Sequence, residues 1–154
     1  MNYAEVEVLL IEDNPYEAKL AIRCLKQFNL GNRLLHIDDA VNALDFIFQR
    51  GEYSGSCTMQ SLKVIFLDLK LPKVDGLEIL RQIKSNEATK TIPVVVLTSS
   101  KEESDVAVAY QTGANSFMVK PVDFENFNQV ISDIARYWIL INEPPSIAKK
   151  AKKQ

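Results

Sequence analysis

The stretch Lys63-Val-Ile-Phe-Leu-Asp-Leu-Lys-Leu-Pro-Lys-Val-Asp-Gly76 decides the fold. An apolar run ends in a single carboxylate, Asp68, and a proline-bearing turn follows at once. A buried strand that finishes in a lone acid places that acid at the carboxyl edge of a sheet, where the ligand sites of open α/β sheets lie. Strands also end in turn aspartates, so the question is whether other strands deliver matching groups to the same edge.

Working outward, strand and helix signals alternate five times. Val6–Ile11 is an apolar, β-branched run, and Asn14-Pro15 supplies a helix N-cap with proline at the first helical position. Glu17 is placed to complete a capping box. Ala18, Ala21, Ile22, Leu25 and Phe28 recur at helical spacing, and Asn29-Leu-Gly31 closes that helix. Arg33–Ile37 reads as a short second strand. Asp39 opens a second helix with Leu44, Ile47 and Phe48 on its apolar face, and Gly51 ends it. The polar segment from Glu52 to Ser61 reads as an exposed loop. The third strand is Val64–Leu67, followed by a helix near Leu77–Lys84 and a fully apolar fourth strand, Pro93–Leu97. Ser100-Lys-Glu-Glu103 can cap a fourth helix ending at Gly113, Phe117–Val119 is the fifth strand, and Asp123 caps a last helix running to about Ile141. Pro144-Pro145 forbids its continuation. Five such units with short connections predict an α/β fold with a five-stranded, parallel, doubly wound sheet.

A chain of 154 residues, 47% hydrophobic and 25% charged, suits one domain with a full core. The expected division is a domain over residues 1–143 and a flexible basic tail over 144–154, where Lys149-Lys-Ala-Lys-Lys153 reads as a solvated run. A net charge of −2 gives no general attraction to nucleic acid or anionic membrane. The start, Met1-Asn-Tyr-Ala-Glu-Val-Glu, is unlike a signal peptide, and no apolar run approaches the roughly 20 residues that span a bilayer. Cys24 and Cys57 show no metal-ligand spacing and read as reduced thiols. A soluble cytoplasmic protein is expected.

In such a sheet the first, third, fourth and fifth strands end at a common edge. They deliver Glu12-Asp13, Asp68, Thr98-Ser99 and Lys120-Pro121 respectively. Three carboxylates against one ammonium leave a charge of −2 in a small cleft, and like charges in a partly desolvated cleft repel. A divalent cation cancels the excess, and all-oxygen ligands select a hard ion such as Mg²⁺, for which Mn²⁺ can substitute. Asp68 is then a candidate nucleophile toward phosphorus, with Lys120 and the ion neutralising phosphoryl oxygens and the Thr98 hydroxyl donating to one of them.

Four pieces together resemble response-regulator receiver domains, with their flavodoxin-like (βα)5 fold. They are Glu12-Asp13-Asn-Pro15; Phe66-Leu67-Asp68 with Leu71-Pro-Lys-Val-Asp-Gly76; Leu97-Thr98-Ser99; and Gly113-Ala-Asn-Ser-Phe-Met-Val-Lys120-Pro121. The resemblance covers about residues 5–141. It implies that Asp68 is the phosphoacceptor, that Glu12 and Asp13 bind the metal with Asp68, and that the backbone carbonyl of Lys70 completes the protein's metal ligands. It further implies Thr98 and Lys120 as the phosphate-binding pair, Phe117 with Thr98 as the switch, and a cis bond between Lys120 and Pro121. Lys70 departs from the family pattern by placing a long cation at the mouth of the site, and Phe117 lacks the hydroxyl or imidazole that some receivers carry there.

The resemblance implies a phosphoacceptor signalling protein, with only self-phosphorylation and self-dephosphorylation chemistry, that takes its phosphoryl group from a histidine kinase. With about a dozen residues after Ile141, a stand-alone receiver is expected. A long loop, Gly51–Leu62, and the ending Tyr137-Trp-Ile-Leu-Ile141 before Pro144-Pro145 look like the single-domain regulators paired with bacterial phytochromes, notably in cyanobacteria. On the last helix Phe124, Phe127, Ile131, Ile134 and Trp138 make a core-facing stripe. Val130, Tyr137 and Ile141 make a second, which predicts a homodimer through the fourth helix, fifth strand and fifth helix.

Two rivals stand against this. A phosphohydrolase with an aspartyl-phosphate intermediate resembling this arrangement usually carries a second Asp two residues after the nucleophile, where this chain has Lys70. A phosphorylation-independent interaction module would not need Glu12, Asp13, Asp68, Thr98 and Lys120 together. His36, on the second strand, reads as structural, and Asp75 as shaping the turn before Gly76.

Overall fold

The three central strands, β1 (Val8–Ile11), β3 (Val64–Leu67) and β4 (Val94–Thr98), are buried along their whole length, which is why their sequences are almost continuously apolar. With β2 (Leu34–Ile37) and β5 (Ser116–Val119) they form one parallel sheet of order β2-β1-β3-β4-β5. The computed structural model describes residues 2–56, 61–99 and 102–145. Residues 146–154 of the expected tail and Cys57 lie outside those residues.

Side chains alternate across the sheet. Leu9, Ile11, Ile65, Leu67, Val94 and Val96 face one core, closed by α2 (Ala40–Ile47), α3 (Gly76–Ser85) and α4 (Glu103–Thr112). Val8, Leu10, Val64, Phe66, Val95 and Leu97 face the other, closed by α1 (Pro15–Leu25) and α5 (Phe124–Ala135). The register pairs Ile11 with Leu67, so the residues that follow β1 and β3 emerge side by side. Strand order reverses between β1 and β3, and a doubly wound sheet opens its ligand crevice there.

Three helices start where the caps Asn14, Asp39 and Asp123 predict, and Asp75, read as a turn residue, caps α3. The Asn14 side chain accepts from the N–H groups of Tyr16 and Glu17. Asp39 accepts from Asn42, Asp75 from Leu77 and Asp123 from Asn126. The fourth helix differs. Its N-cap is Glu102, with no side-chain cap bond, and Ser100 lies outside the described residues. Only Ala109 of α4 is buried, so this helix has the least packing to hold it.

Three expectations need correction. The segment after α2 is not wholly exposed. A 3₁₀ turn, Gly51–Tyr53, folds Tyr53 into the core, edge-to-face with Tyr3 and Phe46 at ring separations of 5.0 and 5.4 Å. The last helix does not keep one α-helical face to its end. After Ala135 it widens into a π-helical segment, Arg136–Ile141, where Asn142 N–H bonds Tyr137 O, five residues back. The buried row becomes Phe127, Ile131, Ala135 and Ile139, while Phe124 is half exposed and Trp138 only partly buried. The Lys120–Pro121 bond is trans, since no cis peptide occurs among the described residues. The backbone of Lys120 is instead held by its N–H, which donates to Thr98 O at 2.7 Å.

Candidate functional site

The residue after β1, Glu12, and the residue after β3, Asp68, are buried polar groups at the switch point. Thr98, the last residue of β4, is fully buried, and Lys120 follows β5 with its side chain 5% exposed. Four strands therefore bring Glu12, Asp68, Thr98 and Lys120 to one edge.

The Lys120 ammonium reaches across the cleft. It bonds Glu12 Oε1 in a short contact, lies 3.0 Å from Glu17 Oε2 and stands 3.5 Å from Asp68 Oδ2. The other oxygen of Asp68, Oδ1, accepts from the Lys70 N–H at 3.2 Å, which fixes the carboxylate at the head of the β3–α3 loop. One oxygen each from Glu12, Glu17 and Asp68 lie within 4.8 Å of one another. Asp13, half-buried beside Glu12, is outside that group of three.

Burial pushes the Glu12 carboxyl up to about 8, the hydrogen bond shared with Asp68 adds to the rise, and Lys120 opposes it. Burial also works against the Lys120 charge, but Asp68 and Glu12 outweigh it and hold the ammonium above its ordinary value. The two shifts agree physically. Carboxylates outnumber ammonium groups here, so the site gains from any added positive charge, whether a proton or a cation.

Phe117 is paired with Val96 in the register, partly buried, and packed against the core beneath α4. The Lys70 ammonium stands 4.0 Å from a carboxylate oxygen of Asp105 on α4. Both groups are accessible, so this pair contributes little by itself.

Two residues at the site were not assigned to it from sequence. Glu17 belongs to a capping box by spacing, yet the Asn14 N–H donates to Glu12 Oε2 at 3.2 Å instead, and Glu17 turns to Lys120. The available signal was its position in the first turn of the helix that starts at the ligand edge. His36 reads as structural, and its Nε2 lies 2.8 Å from the Glu12 carbonyl oxygen, supporting the loop that carries the acid pair. Nothing in a lone histidine on an edge strand announces that contact.

What this edge offers chemically is a carboxylate nucleophile, an ammonium, a buried hydroxyl and an all-oxygen cluster with excess negative charge. Among the described residues no helix is long and apolar enough to cross a membrane.

Comparison with known proteins gives the same frame. The model of the response regulator receiver domain matches residues 8–132. Response regulator Rcp1 of Synechocystis is 36% identical over 132 residues, covering 86% of this chain and 88% of that protein. The probable methanogenesis regulatory protein FilR2 of Methanothrix harundinacea is 38% identical over 141 residues, with 92% and 88% covered. Among solved structures, the phosphorylated cyanobacterial phytochrome response regulator RcpA superposes with a TM-score of 0.84 at 31% identity, over 92% of this chain and 99% of that one. The Mn²⁺-bound form of Rcp1 gives 0.81 at 33% identity, with 91% and 99% covered.

Proposed function

The chain belongs to the response regulator receiver family, and we propose that it accepts a phosphoryl group on Asp68 from a phytochrome-type histidine kinase in the cytoplasm. The observation that carries this is the meeting of Asp68 with Glu12 and Lys120 at the point where strand order reverses.

The donor set fits a hard divalent cation, because every side-chain group on offer is a carboxylate oxygen and their charge exceeds that of Lys120. Glu12, Asp13, Asp68 and the backbone carbonyl of Lys70 would hold Mg²⁺, or Mn²⁺ in its place. When bound, it would neutralise negative charge on the transferring phosphoryl group.

The protein's own residues do the rest. The Lys70 N–H orients Asp68 through Oδ1. An Asp68 oxygen forms the new bond to phosphorus as the donor's N–P bond breaks and its imidazole leaves with the electron pair. Lys120 moves its ammonium from the carboxylates to a phosphoryl oxygen, and the Thr98 hydroxyl donates to another. The pull on Thr98 draws Phe117 further into the core, and α4 is free to follow because it buries only Ala109.

The altered surface is α4, β5, α5 and the π-helical segment that continues α5, where most of the exposed large apolar side chains among the described residues lie, including Val108, Tyr110, Phe124, Tyr137, Leu140 and Ile141. A two-fold homodimer through this face would cover them. Incubation with an autophosphorylated phytochrome-type kinase tests the function. Label should pass to this chain, and a kinase that keeps its label in the presence of Mg²⁺ contradicts it.

A further inference from the structure

Glu17 is the one carboxylate at the site to which the proposed chemistry gives no task, and its geometry is specific. At the third position of α1 its spacing suits a bond back to the Asn14 N–H, but Glu12 Oε2 already takes that donor. The Glu17 carboxylate reaches instead across to β5 and accepts from Lys120 at 3.0 Å. An ammonium has three protons to give. Glu12, Glu17 and Asp68 take them, and the phosphoacceptor holds the longest of the three bonds, at 3.5 Å.

We propose that Glu17 is a positioning residue that holds Lys120 off Asp68 in the resting protein and competes with the phosphoryl group for it. This rests on the function proposed above. Glu12 and Asp68 cannot yield their share of Lys120 by moving away, since both side chains are buried at the base of the cleft, 4% and 7% exposed. Glu17 can, because its side chain is 34% exposed and swings into water at little cost. It is a releasable counter-charge. While it stays, it draws the ammonium outward and adds one negative charge where a phosphoryl dianion must settle.

Glu17→Gln keeps the side chain's shape and removes its charge, and Glu17→Asp keeps the charge. At saturating Mg²⁺ and limiting acetyl phosphate, Glu17→Gln should raise the phosphorylated fraction about three- to fivefold, the scale of a partly exposed ion pair. Glu17→Asp should remain within about twofold of the parent. A purely structural role predicts a lower melting midpoint and an unchanged phosphorylated fraction, and that result overturns the proposal. So does a fall in Mg²⁺ affinity of tenfold or more in Glu17→Gln, which would make the residue a metal ligand. A parent protein that takes up no phosphoryl group removes the proposed function and this role with it. A labelled parent matched by Glu17→Gln removes this role alone.

Discussion

Gly76 lies against the backbone of Asp68: a methyl group on it would stand 2.5 Å from the Asp68 carbonyl oxygen and 2.5 Å from Leu69 Cα. The glycine opens α3, and its N–H donates to Leu69 O at 3.1 Å, so the helix start and the loop that follows Asp68 are pressed together. Any side chain here must push the loop away. Gly76→Ala should cost about 1–3 kcal/mol, the usual cost of overpacking, read from urea unfolding. It should also slow phosphoryl uptake, because the loop carries the Lys70 N–H that orients Asp68. Stability and uptake both matching the parent would contradict the close approach.

Glu12 links stability to pH. Its ordinary value is 4.5, and burial raises it to about 8 in the folded protein. Between those values the folded protein keeps a proton that the unfolded chain has lost, so stability falls as pH rises through the window. Without divalent cations, the urea midpoint should be lower at pH 8 than at pH 5. Added Mg²⁺ should recover part of the difference at pH 8, since the cation supplies the positive charge the proton no longer provides. A midpoint that rises steadily from pH 5 to pH 8 without metal would be incompatible with this.

The acid pair after β1 divides its work. Glu12 is committed to Lys120 and to the Asn14 N–H, whereas Asp13 lies beside the cluster. If Asp13 turns to the cation when it binds, Asp13→Ala should weaken Mg²⁺ affinity by roughly tenfold or more. Titration by isothermal calorimetry checks this, and an unchanged affinity excludes Asp13 as a ligand.

The exposed apolar side chains at the end of the chain's last helix predict self-association. Tyr137 is 44% exposed and Ile141 66% exposed, on either side of the buried Ile139. Dimerisation near 100 µM needs only roughly 5 kcal/mol, within reach when each large apolar side chain contributes about 1.5–3 kcal/mol on burial. Sedimentation of the phosphorylated protein should show a dimer that Ile141→Glu dissociates. A strictly monomeric parent at that concentration would refute the interface.

Most of the fold is legible because its signals are local and agree. The third strand falls at Val64–Leu67 as its apolar run predicts, and Asn14, Asp39 and Asp123 each cap a helix through their own side chains as their positions predict. What escapes the sequence depends on distance in space. Tyr53 sits in a polar stretch, and only the 3₁₀ turn that brings it to Tyr3 and Phe46 makes it core. The π-helical turn after Ala135 shifts the buried face, which a fixed helical period cannot anticipate. Glu17 satisfies a local rule by spacing and is drawn off it by an ammonium 103 positions further along the chain.

Asp68 as the proposed phosphoacceptor is tested most directly by its own phosphorylation. Incubation with acetyl phosphate and Mg²⁺, read by intact-protein mass, should add a single base-labile phosphoryl group to the parent and none to Asp68→Asn. Asp68→Asn keeps the volume of the side chain and an oxygen for the Lys70 N–H, so loss of uptake cannot be laid to a collapsed loop. A variant that labels as well as the parent would exclude Asp68 as the acceptor, and a parent that stays unlabelled with Mg²⁺ present would contradict the proposed function.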